Sequence, residues 1–133
     1  MADVGIENQE LVIGHLGHWP AFHDAEVVSL LFERGEPGYW PIITLRLEAK
    51  AGYDKAAGTP AKHFLLELQF AEVHDHELNG FNDQNVIFSL DFTREDDLIV
   101  CDIEPSYGVS GHIVAERVTV KKMELLDSPQ PRP

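Results

Sequence analysis

Phe64, Leu66, Leu68 and Phe70 occupy every second position, with Leu65, Glu67, Gln69 and Ala71 between them. A helix would scatter those four large apolar groups around its circumference. A pleated strand gathers them on one face. Such a face needs a second apolar surface to cover it, so this segment sets the class of the whole chain. The same period recurs elsewhere. Residues 42–48 alternate Ile43, Leu45 and Leu47 inward against Thr44, Arg46 and Glu48 outward, and residues 86–93 set Val86, Phe88, Leu90 and Phe92 against Ile87, Ser89, Asp91 and Thr93. Residues 25–32 are different: Val27, Val28, Leu30, Leu31 and Phe32 are apolar on both faces, which predicts a central strand covered on both sides. A fifth strand is expected over 98–103 and a sixth over 112–124, with Val118 and Val120 inward and Lys121 and Lys122 outward.

Between these runs stand turn signals: Gly35, Glu36, Pro37 and Gly38; a connection over 49–61 holding Gly52, Gly58 and Pro60; a polar stretch over 74–85; Arg94 to Asp97; and a loop over 105–111. Ahead of the strands, residues 6–16 place Leu11, Val12 and Leu16 on one helical face, and Gly17 supplies the stop. The expected fold is mainly β, an antiparallel β-sandwich or strongly curved sheet of about six strands with one short N-terminal helix. At 133 residues, one domain over 1–127 is expected, followed by a frayed tail over 128–133 that carries three prolines.

Charge narrows function more than composition does. Ten Lys and Arg against 23 Asp and Glu leave a formal net charge of −13. Such a surface repels nucleic acid and anionic membranes and attracts basic partners, although plain solubility explains it equally well. Cys101, alone and in an apolar run, forms no internal disulfide and reads as a small buried hydrophobe. The opening residues lack the basic region and apolar core of a signal segment, and no apolar run approaches the ~20 residues of a membrane span. The chain therefore reads as cytoplasmic.

The densest chemistry lies in Gly17, His18, Trp19, Pro20, Ala21, Phe22, His23, Asp24, Ala25, Glu26 and Val27. This stretch is either a clasp that opens the β-domain or the rim of a site. His23 with Asp24 suggests a metal dyad, and His74 with His76 would share a face of an extended segment, so a tetrahedral metal site is one reading. Asp24 bracing the turn into the first strand is the simpler one. Ser110 lacks a nucleophile elbow, and glycine-rich phosphate cradles are absent, so no cofactor, metal or catalytic residue is assigned. Trp19, Phe22, Tyr39, Trp40, Phe81 and Tyr107 lie in or beside loops. Trp19, Phe22 and Phe81 are expected to plug the open end of the sheet.

Three groups of residues resemble immunity protein family 50 of bacterial polymorphic toxin systems. They are Trp19, Pro20, Phe22, His23, Asp24, Ala25, Glu26 and Val27; Leu66 to Phe70 leading to Leu78, Gly80, Phe81, Asn82, Gln84, Asn85, Val86 and Ile87; and Ile103, Pro105, Ser106, Tyr107 and Gly108. The resemblance implies a small, mostly β, non-enzymatic protein that binds a cognate toxin in the producing cell and blocks it. The acidic charge fits a basic toxin, since complementary charge speeds the encounter. Candidate contacts are Asp24, Glu26, Asp75, Glu77, Asp83, Glu95, Asp96 and Asp97, with Trp40 and Tyr107 as anchors. The alternative is a β-sandwich binding module for a small molecule or another protein; a metal-dependent enzyme built on His23, Asp24, His74 and His76 comes third.

Overall fold

The computed structural model describes residues 4–36, 40–51 and 62–126. Pro37, Gly38 and Tyr39, the connection over 52–61 and the proline-bearing tail lie outside the described residues. Those described form one helix, α1 (Glu10–Leu16), and six strands: β1 (Glu26–Glu33), β2 (Ile42–Ala51), β3 (Lys62–Asn79), β4 (Val86–Glu95), β5 (Leu98–Tyr107) and β6 (Ser110–Leu126). All pairings between strands are antiparallel, in the order β1-β2-β3-β6-β5-β4, and the sheet closes on itself as a barrel. Of the two expected forms, the strongly curved sheet is the one adopted, with its curvature carried to closure.

The barrel interior is the core. Phe64, Leu66, Leu68 and Phe70 of β3 are all fully buried, as are Ile43, Leu45 and Leu47 of β2. Val118 and Val120 of β6 meet them while Lys121 and Lys122 face solvent, because a bulge at this point lets two successive side chains point outward. Cys101 is fully buried, and burial pushes its thiol far above the ordinary range, so it packs as a hydrophobe.

Bulges also overturn two expectations. In β1 the register slips between Val27 and Ser29, so Val28 and Ser29 both line an outer concavity beside Arg46 and Glu48, while Val27 and Leu30 face in. The strand is therefore not covered on both sides: Leu31 and Phe32 are about half exposed. In β4 a slip between Ile87 and Ser89 turns Ile87 inward and leaves Phe88 exposed, the reverse of the simple alternation. An extra residue inverts the faces of everything beyond it, and hydrophobic period alone does not reveal it.

The polar stretch over 74–85 is not one loop. Its first half continues β3 to Asn79, paired only with β6, so beyond the end of β2 this part of β3 is an arm, an edge strand beside β6 and β5. The loop expected over 105–111 shrinks likewise, since β5 runs to Tyr107 and β6 starts at Ser110.

The helix is shorter than expected, and Leu11 faces solvent while Val12 and Leu16 are buried. Gly17 ends it with a positive φ of 84°, its N–H bonded to the Ile13 carbonyl at 2.7 Å. Residues ahead of the helix serve the sheet instead. Glu7 donates to the Val118 carbonyl (2.8 Å) and accepts from the Val120 N–H (2.9 Å), covering β6 past the point where β5 leaves it. Pairing of β1 with β4 is short, centred on Glu26 and Val86, and it is reinforced by Asp24 N–H to Ile87 C=O (2.9 Å), Ile87 N–H to Ala25 C=O (2.8 Å) and Val27 N–H to Asn85 C=O (2.9 Å).

Candidate functional site

The aromatic stretch ahead of β1 divides its work. Phe22 is buried, and Trp19 packs edge-on against Phe22 and against Phe92 at ring distances of 5.6 and 6.0 Å. These two do plug the barrel. Phe81, expected to join them, is instead 51% exposed. His23 and Asp24 stay at the surface, and His23 Nδ1 lies 3.0 Å from the Phe88 carbonyl. With Glu26, Glu48, Lys50 and His63 they border an open concavity of about 490 Å3.

That concavity does not include His74 or His76. His74 stacks on Trp40 with ring centroids 4.3 Å apart and contacts Glu116 at 2.9 Å; His76 leans on Phe32 at 5.4 Å. Trp40 precedes β2, whereas Lys50 stands near its far end, ten residues and roughly 33 Å of extended chain away. The proposed ligand set is thus split between two ends of the molecule. Among the described residues no group of three His, Cys, Asp or Glu converges to hold a metal ion.

The ten candidate contact residues fall in four places. Trp40, Asp75 and Glu77 belong to the arm, where Trp40 is half exposed on His74 and both carboxylates are exposed. Exposed Asp83 and half-exposed Tyr107 stand at the neighbouring corner, where the 80–85 loop meets Gly108. Asp24 and Glu26 border the His23 concavity. Val86 pairs with both Glu26 and Tyr107, so those two lie about 10 Å apart across three adjacent strands, and this group abuts the corner. Glu95, Asp96 and Asp97 form the tight β4–β5 hairpin, Asp96 holding a φ of 54°; nine residues of β4 put it about 30 Å from Val86. One continuous surface cannot use all ten as a compact patch.

Sequence reading missed the apolar mouth beside the arm. Leu30, Phe32, Leu78, Phe81 and Val109 line an open cavity of about 260 Å3. The signal is present in the doubly apolar run of β1, which hydrophobic pattern alone assigns to burial.

Two carboxylates are perturbed, Asp75 on the arm and Glu116 of β6 beside it. A hydrogen bond with His112 (2.8 Å) holds Asp75 below its ordinary 3.8, and one with His74 holds Glu116 below its ordinary 4.5, against an opposing effect of desolvation. A carboxylate whose folded pKa is depressed adds stability that is complete above its unfolded pKa and lost as pH falls through the folded one. Asp75→Asn is therefore expected to lower stability slightly at neutral pH, with the gap to the parent protein closing as pH drops below 3.8. Urea titrations across pH 2–7 would show this (roughly, the window bracketing carboxylate titration); a gap independent of pH would mean that the contact contributes through packing alone.

The family model for immunity protein 50 matches residues 8–126, nearly the whole described chain. The chain belongs to the immunity protein 50 family. No curated protein and no solved structure matches it. In this family member the residues that carry the resemblance are largely architectural. Phe22 and Ala25 are buried, Ile87 bonds to Asp24 and Ala25 across the seam, and Gly108 packs on Gln84 and Asn85. No helix among the described residues is long and apolar enough to cross a membrane.

Proposed function

We propose that this protein binds a cognate toxin of a bacterial polymorphic toxin system in the cytoplasm of the producing cell, and neutralises it by occupancy rather than by chemistry. Membership of an immunity protein family is the observation that carries the reading. Two properties of the molecule support it. The net charge of −13 favours a basic toxin domain, whose approach it would accelerate. Half-exposed Phe32, Trp40, Phe81 and Tyr107 supply aromatic anchors of the kind that dominate protein interfaces.

The test is a pull-down from the native bacterium with this protein as bait, followed by purification of the toxin domain that it retains. An equimolar amount of the protein is expected to abolish the toxin's activity, and the association rate is expected to fall about tenfold or more between low and physiological salt. A retained domain that stays fully active under a large excess of the protein would refute the proposal.

A further inference from the structure

The barrel wall parts between β1 and the arm of β3. Beyond Val27, β1 pairs with β2 alone; beyond Val73, β3 pairs with β6 alone. Leu30 and Phe32 of β1 face Leu78 of the arm across this gap, with Phe81 and Val109 closing its end. Leu30 and Leu78 continue the core outward, whereas Phe32 and Phe81 are 50% and 51% exposed. Leu11 and Leu125 are also exposed, but they stand on α1 and on the far end of β6, away from this gap. Two half-exposed phenylalanines converging on an apolar cavity mark a recognition site rather than incidental exposure.

Size and charge identify the occupant. A volume of about 260 Å3 falls short of the roughly 300–1,000 Å3 typical of small-molecule sites, and it suits one large side chain. Glu33, Glu77 and Asp83 are exposed within two residues of Phe32, Leu78 and Phe81, against a single Arg or Lys, Arg34, in the same span. An apolar socket ringed by carboxylates matches a cationic surface from which one apolar side chain projects.

We propose that the cognate toxin docks at this mouth, inserting one large apolar or aromatic side chain between Phe32 and Phe81 while Lys or Arg residues around it meet Glu33, Glu77 and Asp83. This site rests on the toxin-binding reading above and adds to it the surface and the chemistry of the anchor. The central apolar contact sets the dissociation rate, and the carboxylates set the association rate.

Calorimetry with the purified toxin domain tests it. The double variant Phe32→Ser with Phe81→Ser is expected to weaken binding at least ~30-fold, the scale of an interface hot spot. Leu125→Ser, an equally plain loss of an exposed apolar group elsewhere, is expected to stay within about twofold, in the range of a neutral contact. Glu77→Lys with Asp83→Lys removes no apolar lining residue, so it guards against misfolding of the first variant. It should slow association about tenfold at low salt, with the difference fading at high salt. If the parent protein binds and inhibits the toxin but both double variants match it, the mouth is not the docking site and the function reading survives. If the parent protein neither binds nor inhibits, both readings fall. If sedimentation shows a dimer that the phenylalanine variant dissociates, the occupant is a second copy of the chain and the proposal is overturned.

Discussion

Replacing Gly111 with alanine is expected to destabilise the protein by about 3–5 kcal/mol, the combined scale of a forbidden backbone conformation and of overpacking. Gly111 sits at the start of β6 with a φ of 140°, opposite Leu78 of the arm and Ile103 of β5. A Cβ there would be driven into the carbonyl of Glu77, with Leu78 Cα close behind. Both obstacles are backbone, so no rotamer change relieves them. The arm must instead move away from β6, breaking ladder bonds on both flanks. Since typical domains are stable by only 5–15 kcal/mol, the variant should be largely unfolded or have its urea midpoint reduced by a third or more. A midpoint within a tenth of the parent value would show that the two strands tolerate a wider spacing. Because Leu78 also lines the apolar mouth, a toxin docked there as proposed should bind any Gly111→Ala protein that stays folded less well than its stability loss explains.

The period-2 signal was dependable wherever a strand runs without interruption. Residues 64–70 and 42–48 were placed correctly because their pleat is regular and their register with each other is unbroken. It failed where one residue is added. Val28, Phe88 and His74 each stand at a slip of register, and beyond each of them the inward set changes. Nothing in local composition marks these positions, because a bulge is imposed by the bending that closes the barrel, a property of all six strands together. The arm was hidden for a different reason. His74, Asp75, His76 and Glu77 are polar because this edge strand, extended past its β2 neighbour, exposes successive side chains to solvent, so a strand there has a loop's composition.

The candidate surface was legible in part for the same reasons. Trp40, Asp75 and Glu77 were recognised as exposed chemistry, and the structure brings them onto one arm. Glu95, Asp96 and Asp97 look identical in sequence, yet the length of β4 carries them to the other end of the barrel. Phe32 lies in a run whose hydrophobicity on both faces predicts burial, yet it is half exposed. An apolar residue near the end of a strand that pairs on one side only carries the same letter as one in the core, and only pairing distinguishes the two.

Asn85→Ala is expected to lower stability by about 3–4 kcal/mol and to loosen the mouth selectively. Asn85 is the buried polar hub of the seam, only 3% exposed. Its Oδ1 accepts from the N–H groups of Asn82 (2.9 Å) and Val109 (3.1 Å), while its Nδ2 donates to the carbonyls of Asn82 (2.9 Å) and Val27 (3.4 Å). One amide thus ties β1, the 80–85 loop and the β5–β6 turn together where β1 and β4 pair most weakly. Alanine would orphan the buried Val109 N–H and weaken the hold on Val27, each unsatisfied group costing about 1–3 kcal/mol. Asn85→Asp separates the two halves of the role. An aspartate can still accept both N–H bonds, but it cannot donate to the Val27 and Asn82 carbonyls, and it buries a charge among them. Its stability should therefore recover as pH falls and the carboxyl protonates, whereas that of the alanine variant should not. Hydrogen exchange gives the spatial check: protection lost first at Val27 and Val109, with the Phe64–Phe70 stretch of β3 still protected, would show the seam opening ahead of the barrel. Uniform loss across all strands would mean instead that the seam and the barrel unfold as one unit.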